Sequence, residues 1–340
     1  MIEVIPKYAT TLSGLIIATC LATATAASAQ CDTGINMVDA LPEAQRQAIF
    51  QEAATQANGK GRFYRIEKAD KEPSYLFGTV HLTDPRVTYL PESISTAFDS
   101  ASQLVLETTD LIDSDALEKI LLEHPDLTTL PEGQRITDYL SSDDTEALTR
   151  LAQNAGTPLE NFATLQPWLV AAAVMTTPCE QQRQAEGKMI LDLTLAQKAE
   201  GMGKPIAGLE SASEQFGAMA SLPYDHQAEM LLATFKFQNR IPDIIETLIS
   251  LYLQGNIAVI SPALELIAPA GSDEARSLEL WKEFDERIIR DRNRLMADRL
   301  QPALTQGGAF VAVGAQHLIG DEGLVELLRD AGWTLSPVAE

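Results

Sequence analysis

The stretch "SYLFGTVHLTD", residues 74–84, begins as a strand and ends in a loop that carries a histidine. Its first half is rich in aromatic and branched apolar residues, which favour a buried strand. Gly78 interrupts this run, and His81 follows three residues later. A polar ring at the point where a strand ends predicts a functional loop, because ligands of open α/β sheets gather at strand ends.

The same arrangement recurs near the other end of the chain, in "FVAVGAQHLIG", residues 310–320. There an apolar run meets Gly314, and His317 follows three residues later. The glycine of each GxxH allows a sharp exit from the strand, with positive φ if needed, and leaves space beside the histidine. One GxxH alone is weak evidence, but two after apolar strands favour a shared site.

Outward from these stretches, the pattern predicts an α/β fold of some α+β character. Its central sheet is mixed, partly parallel and built from both ends of the chain, and a large helical middle region covers it. The predicted strands are 62–69 and 74–80, which form a hairpin, and 103–109, 204–210, 309–314 and 333–338. Helices are predicted over 90–101, 277–304 and 321–332. We expect one domain, residues 30–340, strand-rich over 60–110 and 280–340, with a helical insertion over about 111–275.

Residues 1–29 are predicted to be a signal peptide. An apolar, small-residue run is followed by "ASAQ", which offers a cleavage site near Ala29. The run is short for a membrane span, so a retained anchor is the weaker alternative and no stable membrane insertion is expected. The protein is then periplasmic or secreted. In that oxidising compartment Cys31 and Cys179 are predicted to form a disulfide, the alternative being two unpaired thiols.

The chain is strongly acidic, with a formal net charge of −23. This charge repels the phosphates of nucleic acids and argues against a nucleic-acid partner. It also attracts cations, including metal ions. The sequence carries no Walker loop, CxxC, HExxH or GxSxG motif, which argues against the corresponding NTPase, redox, zincin and α/β-hydrolase functions.

His81, Glu107 and His317 are the candidate catalytic and metal-binding residues. Glu107 ends the apolar strand segment "LVL", where a buried carboxylate needs a charged partner or a cation. Neutral imidazoles and a carboxylate are common ligands of divalent ions, and the sequence leaves the identity of the ion open among Mn, Co and Zn. The alternative is that the histidines only make structural hydrogen bonds and that Glu107 is solvated.

Four further polar residues are candidate supporting or substrate-binding residues, with Gly78 and Gly314. Glu210 ends a predicted strand, although nearby serines suggest an exposed loop. Asn293 falls on the apolar stripe of the predicted helix 277–304, where its amide needs partners. Arg292 lies beside this stripe and is suited to a carboxylate. Asp192 is either a helix-surface acid or a site residue.

Several blocks of the sequence together resemble the TraB/GumN family. These blocks are "YLFGTVHL", "LVLET", "LDLTLAQKAEGMGKPIAGLES", "RDRNRLMADRL" and "FVAVGAQHLIGDEGLVELLRDAGWTLSPV", and they span about residues 62–338. The family is related to the TIKI proteins, described as metal-dependent proteases, and to the erythromycin esterase and ChaN-like superfamily. Carried over by position, the resemblance implies a catalytic set of His81, Glu107 and His317.

Two functions follow as hypotheses. The first is an exported metal-dependent hydrolase, most similar to a peptidase, in which metal-activated water attacks a carbonyl of a peptide or other small substrate. The second is a non-catalytic binding protein for peptide, polysaccharide or haem that uses the same cleft. The first requires that the two histidines and Glu107 meet.

Overall fold

The computed structural model describes residues 34–112, 114–271 and 273–339. The predicted signal peptide and Cys31 lie outside the described residues, and so does the predicted pairing of Cys31 with Cys179. Within the described residues, no helix is long and apolar enough to cross a bilayer.

Six strands form one mixed sheet. They are β1 (Phe63–Glu67), β2 (Ser74–Thr79), β3 (Gln103–Leu106), β4 (Ile206–Gly208), β5 (Ala309–Gly314) and β6 (Thr334–Pro337). Their order across the sheet is β4-β3-β5-β2-β1-β6. The first four in this order are parallel, whereas β1 is antiparallel to both of its neighbours. The predicted mixed sheet with a first hairpin is therefore confirmed.

Helices account for most of the remaining chain. They are α1 (Glu43–Ala53), α2 (Pro85–Thr88), α3 (Glu92–Ser100), α4 (Ser114–Glu123), α5 (Ser142–Asn154), α6 (Pro167–Met175), α7 (Pro178–Ala185), α8 (Leu191–Gly201), α9 (Ala212–Ala220), α10 (Tyr224–Lys236), α11 (Ile241–Leu253), α12 (Ile260–Ile267), α13 (Glu274–Phe284), α14 (Asp291–Gln306) and α15 (Leu324–Asp330). A π-helical segment, Asp285–Arg290, joins α13 to α14 without a break. The long helix predicted over 277–304 is thus one helical rod with a π turn in it.

The sheet is covered on both faces, as the alternation within β5 requires. Val311 and Val313 point to one face, where they meet apolar residues of α14 and α15. Phe310 and Ala312 point to the other face, which α3 and α8 cover. Buried side chains on both faces are typical of parallel strands in α/β proteins.

Separate apolar clusters hold the helical middle region together. One joins α5, α6 and α10 around Leu148, Val170 and Phe235. Another joins α1, α11 and α12, and it includes Tyr252. The Tyr252 hydroxyl donates to the carbonyl of Gly78 at 2.9 Å, so this region is anchored to the end of β2.

Candidate active site

The four parallel strands end at one edge of the sheet, and a predicted site residue follows each of them. In sheet order these are Glu210 after β4, Glu107 after β3, His317 after β5 and His81 after β2. Carboxyl ends of adjacent parallel strands lie side by side, and this is where ligands bind in open α/β sheets. The sheet thus brings together residues from both ends of the chain.

Glu107 lies between the two histidines. Its Oε1 is 4.0 Å from Nε2 of His81 and 3.7 Å from Nε2 of His317. The side chains of Glu107 and His317 are buried, whereas that of His81 is 51% exposed. The cluster therefore has one open side, at His81.

Three donors hold the Glu107 carboxylate. The Gly314 N–H donates to Oε1 at 2.6 Å, and Oε2 accepts from Arg292 Nη2 at 2.8 Å and from Gln215 Nε2 at 3.1 Å. Arg292 also forms a two-nitrogen contact with Glu210, at 2.8–3.1 Å. Planar guanidinium groups are suited to such paired contacts.

Burial opposes the ionised form of Glu107, but its neighbours outweigh that effect. His317, His81, Arg292 and the Gly314 N–H together lower the pKa of the carboxyl to about 2. Burial also opposes the charge of Arg292, yet its contacts with the two glutamates raise the pKa of the guanidinium. Glu107 is therefore a fixed negative charge at neutral pH.

The amide of Asn293 fixes the ring of His317. Asn293 Nδ2 donates to the carbonyl of Glu322 at 2.8 Å, so Oδ1 is the atom that faces Nδ1 of His317, at 2.7 Å. Nδ1 must then carry the hydrogen, which leaves the Nε2 lone pair facing Glu107. Burial lowers the pKa of His317 to about 4, so this ring is neutral at pH 7.

Asp192 plays the corresponding part for His81. Its Oδ2 lies 3.4 Å from Nδ1 of His81, and its Oδ1 accepts from the hydroxyl of Thr79 at 2.9 Å. This Oδ2 is buried and has no hydrogen-bond partner among the described residues, so its 3.4 Å contact with His81 is an ion pair when the ring is protonated. Partial burial disfavours the charge on this half-exposed ring, but Asp192 and then Glu107 raise the pKa of His81 to about 9.

The two motif glycines provide space rather than an unusual backbone. A Cβ at Gly314 would lie 3.2 Å from Oε1 of Glu107 and 3.4 Å from Cδ2 of His317. A Cβ at Gly78 would lie 2.9 Å from the Cα of Ala315, which is closer than folded proteins allow. Gly314 has a φ of −55° and Gly78 is not among the positive-φ residues, so positive φ, left open from the sequence, is not used.

The surroundings of Glu210 differ from those suggested by the nearby serines. Glu210 is 5% exposed and paired with Arg292, whereas an exposed loop was the alternative. Ser211 instead caps α9, because its side chain accepts from the backbone N–H of Glu214. A serine at a helix start is compatible with a buried preceding residue.

Two contributors to the site were missed from the sequence. Thr79 holds Asp192, and its position inside the motif GTVH was an available signal. Gln215 donates to Glu107 from the first turns of α9. The capping pattern after Glu210 predicts that α9 starts at the edge of the site. It does not predict which side chain of α9 contacts the cluster.

The donor chemistry of this cluster fits a divalent metal ion. Each histidine has an oxygen partner at Nδ1, an arrangement that orients Nε2 toward a metal, which His81 can bind once its Nε2 has lost its proton. Both Nε2 atoms face the ionised Glu107, and imidazole and carboxylate suit zinc and related ions. Within residues 34–112, 114–271 and 273–339, no group of three or more His, Cys, Asp or Glu side chains already has metal-site geometry.

Comparison with known proteins gives a consistent set of relatives. The profile of the TraB/PrgY/gumN family matches residues 63–337. Metalloprotease TIKI1 of Danio rerio is 26% identical over 305 residues, which cover 77% of this chain and 60% of that protein. The uncharacterized protein YbaP of Escherichia coli K12 is 23% identical over 255 residues, 75% of this chain and 87% of that protein. No solved structure matches.

Proposed function

Because this chain belongs to the TraB/PrgY/gumN family, we propose that it is a hydrolase of peptide amide bonds that requires a divalent metal ion. The observation that carries the proposal is the convergence of His81 Nε2 and His317 Nε2 on Glu107 Oε1, at 4.0 and 3.7 Å. The relatives named metalloprotease support the same reaction class. The chain spans 60% and 57% of the length of those two relatives, so their whole activity is not transferred.

His81, His317 and Glu107 are the residues that would hold the metal ion. A bound divalent ion polarises a substrate carbonyl and lowers the pKa of bound water. Asp192 and Asn293 orient the two rings through Nδ1, and Arg292 balances the charge of Glu107. The open side at His81 admits the substrate.

The low pKa of Glu107 limits the role it can have. A carboxylate with a pKa of about 2 is a weak base near neutral pH. Glu107 therefore contributes charge and ligand oxygens, and it does not take the proton of the attacking water. The sequence made Glu107 a candidate for both catalysis and metal binding, and this assignment keeps metal binding.

We further propose that the protein acts after export, in the periplasm or outside the cell. The support is the apolar run and "ASAQ" within residues 1–29. Fractionation of cells that produce the full chain tests this, with mass spectrometry of the N-terminus of the exported form. A chain that stays in the cytoplasm with an uncleaved N-terminus contradicts it.

The hydrolase proposal is tested with the untagged full chain, stripped of metals with EDTA and incubated with a peptide library. We expect cleavage that returns on addition of Mn²⁺, Co²⁺ or Zn²⁺ and is lost in His81→Ala and His317→Ala. His124→Ala is the matched control, because His124 is exposed and outside the cluster. Cleavage that survives EDTA and both variants contradicts the proposal. A haem absorption band that vanishes in both variants, without any cleavage, supports a binding protein instead.

A further inference from the structure

A small pocket lies beside the open side of the active-site cluster. Its volume is about 190 Å³, and His81 forms part of its lining. The apolar lining residues are Leu82, Ala172, Met175 and Ile245. The remaining lining is polar and includes Thr176 and Thr177, and a pocket of this mixed kind next to a reactive centre is the usual place for a substrate side chain.

Gln184 supplies a polar group to this pocket. Its Nε2 donates to Oε1 of Glu180 at 3.1 Å, and the reverse orientation would bring two acceptor oxygens together. Its Oε1 is buried and has no hydrogen-bond partner among the described residues. A buried acceptor without a partner costs free energy, which a ligand N–H would recover.

The helix that carries Gln184, α7, is held against the loop that carries His81. Glu180, 5% exposed, accepts from the backbone N–H of Thr83 at 3.0 and 3.2 Å and from Arg183 at 2.9 Å. Arg183 in turn donates to the hydroxyl of Thr83 at 3.0 Å. Thr83 is two residues after His81, so the pocket wall and the histidine keep a constant relative position.

We propose that this pocket seats an apolar side chain of the peptide substrate, of leucine, methionine or phenylalanine size. Gln184 Oε1 accepts a backbone N–H of the same residue. The volume supports this size, since an engineered apolar cavity of about 150 Å³ binds benzene. Among the described lining residues the carboxylate is that of Glu180, and it is already held by Thr83 and Arg183, so it offers no free partner to a basic side chain. The inference rests on the proposed peptidase function.

The first test fills the pocket. Ala172→Phe is expected to reduce cleavage at leucine, methionine or phenylalanine at least tenfold, because one or more methylenes are worth about 10–200-fold in a pocket. Cleavage of peptides with glycine or alanine at that position is expected to persist. Ala185→Phe is the matched control, because both alanines are exposed but Ala185 does not line the pocket.

The second test removes the acceptor. N-methylation of the amide of the apolar residue is expected to weaken wild-type cleavage about tenfold. Gln184→Met keeps the side-chain volume but lacks the oxygen, so it is expected to cleave methylated and unmethylated peptides equally. A methylation penalty that is the same in wild type and variant overturns the role of Gln184.

A third measurement separates failure of this inference from failure of the proposed function. Binding of N-acetyl-L-leucinamide is followed by NMR, with N-acetyl-L-aspartamide as the comparison probe. Leucinamide binding that Ala172→Phe abolishes supports the pocket even if the wild type cleaves no peptide. If wild type cleaves peptides but Ala172→Phe changes neither their selection nor leucinamide binding, the pocket inference fails and the hydrolase proposal stands.

Discussion

The two GxxH motifs place their histidines in the same cluster but in opposite electrostatic states. His81 is half exposed, faces the charged Asp192, and has a pKa raised to about 9. His317 is buried, faces the neutral Asn293, and has a pKa lowered to about 4. The motif therefore fixes where each ring lies, whereas burial and the partner at Nδ1 decide which protonation state it holds.

We expect the largest effect from a substitution of Glu107, the carboxylate that both histidines face. Glu107→Gln removes the charge that both rings face and leaves Arg292 partly unpaired. We expect peptide cleavage to fall by about 10²–10³-fold, the usual range when a group that stabilises charge in an active site is removed. The measurement is kcat/KM on a cleaved peptide, with circular dichroism to verify folding.

Glu214→Gln is the control for that variant. Glu214 also pairs with an arginine, Arg299, but lies on the exposed face of α9. Its loss should change kcat/KM by less than twofold. Equal losses in Glu107→Gln and Glu214→Gln would show that the charge at Glu107 has no special role.

Exchanging the partners at Nδ1 should narrow the pKa difference between His81 and His317. Asp192→Asn removes the negative charge beside His81 and should lower its pKa, by about 1–3 pH units. Asn293→Asp adds a charge beside His317 and should raise its pKa by a similar amount. NMR titration of the imidazole signals measures both, with the exposed His124 as internal reference. If the pKa of His81 is unchanged in Asp192→Asn, Glu107 alone sets the protonation state of that ring.

The motif glycines should respond differently to the same substitution. Gly78→Ala forces a Cβ against the backbone of Ala315 and should lower the free energy of unfolding by about 1–3 kcal/mol. Gly314→Ala would bring a Cβ to 3.2 Å from Oε1 of Glu107, so that side chain must shift, and the substitution should disturb the site more than the fold. Urea unfolding and kcat/KM, measured on both variants, separate the two effects. A larger loss of stability in Gly314→Ala contradicts this assignment.

The pH dependence of metal binding should reveal which histidine must lose a proton. His81 is mostly protonated below its pKa of about 9, and a protonated ring cannot bind a metal ion. His317, with a pKa of about 4, is already neutral. Mn²⁺ affinity should therefore rise about tenfold between pH 7 and pH 8, with one proton released. Isothermal titration calorimetry in two buffers counts the protons released. Release of zero or two protons contradicts the assignment.

The sequence was sufficient for the fold class and for the residues at the strand ends, because both depend on local patterns. Apolar runs predicted the strands, and a polar residue within three positions of the end of each strand predicted the edge where His81, Glu107, Glu210 and His317 lie. The amide of Asn293, placed on an apolar stripe, correctly indicated buried partners.

The remaining features depend on contacts between distant elements and could not be predicted locally. That Asp192 faces His81 follows from how α8 packs on the sheet, and that Gln215 reaches Glu107 follows from the direction of α9. The opposite pKa shifts of the two histidines also depend on burial, which neither GxxH motif encodes.

The position of β5 has a consequence for how the protein folds. β5 lies between β2 and β3 and pairs with residues far away in the chain, since Phe310 pairs with Tyr75 and Ala309 pairs with Gln103, more than 200 positions earlier in each case. Such non-local pairing is slow, because a long loop must close before the new contacts compensate for its lost entropy. Until β5 inserts, β2 and β3 expose unpaired edges, which are prone to aggregation. We therefore expect the cluster of His81, Glu107 and His317 to form late in folding, so that a partly folded chain would lack the complete cluster.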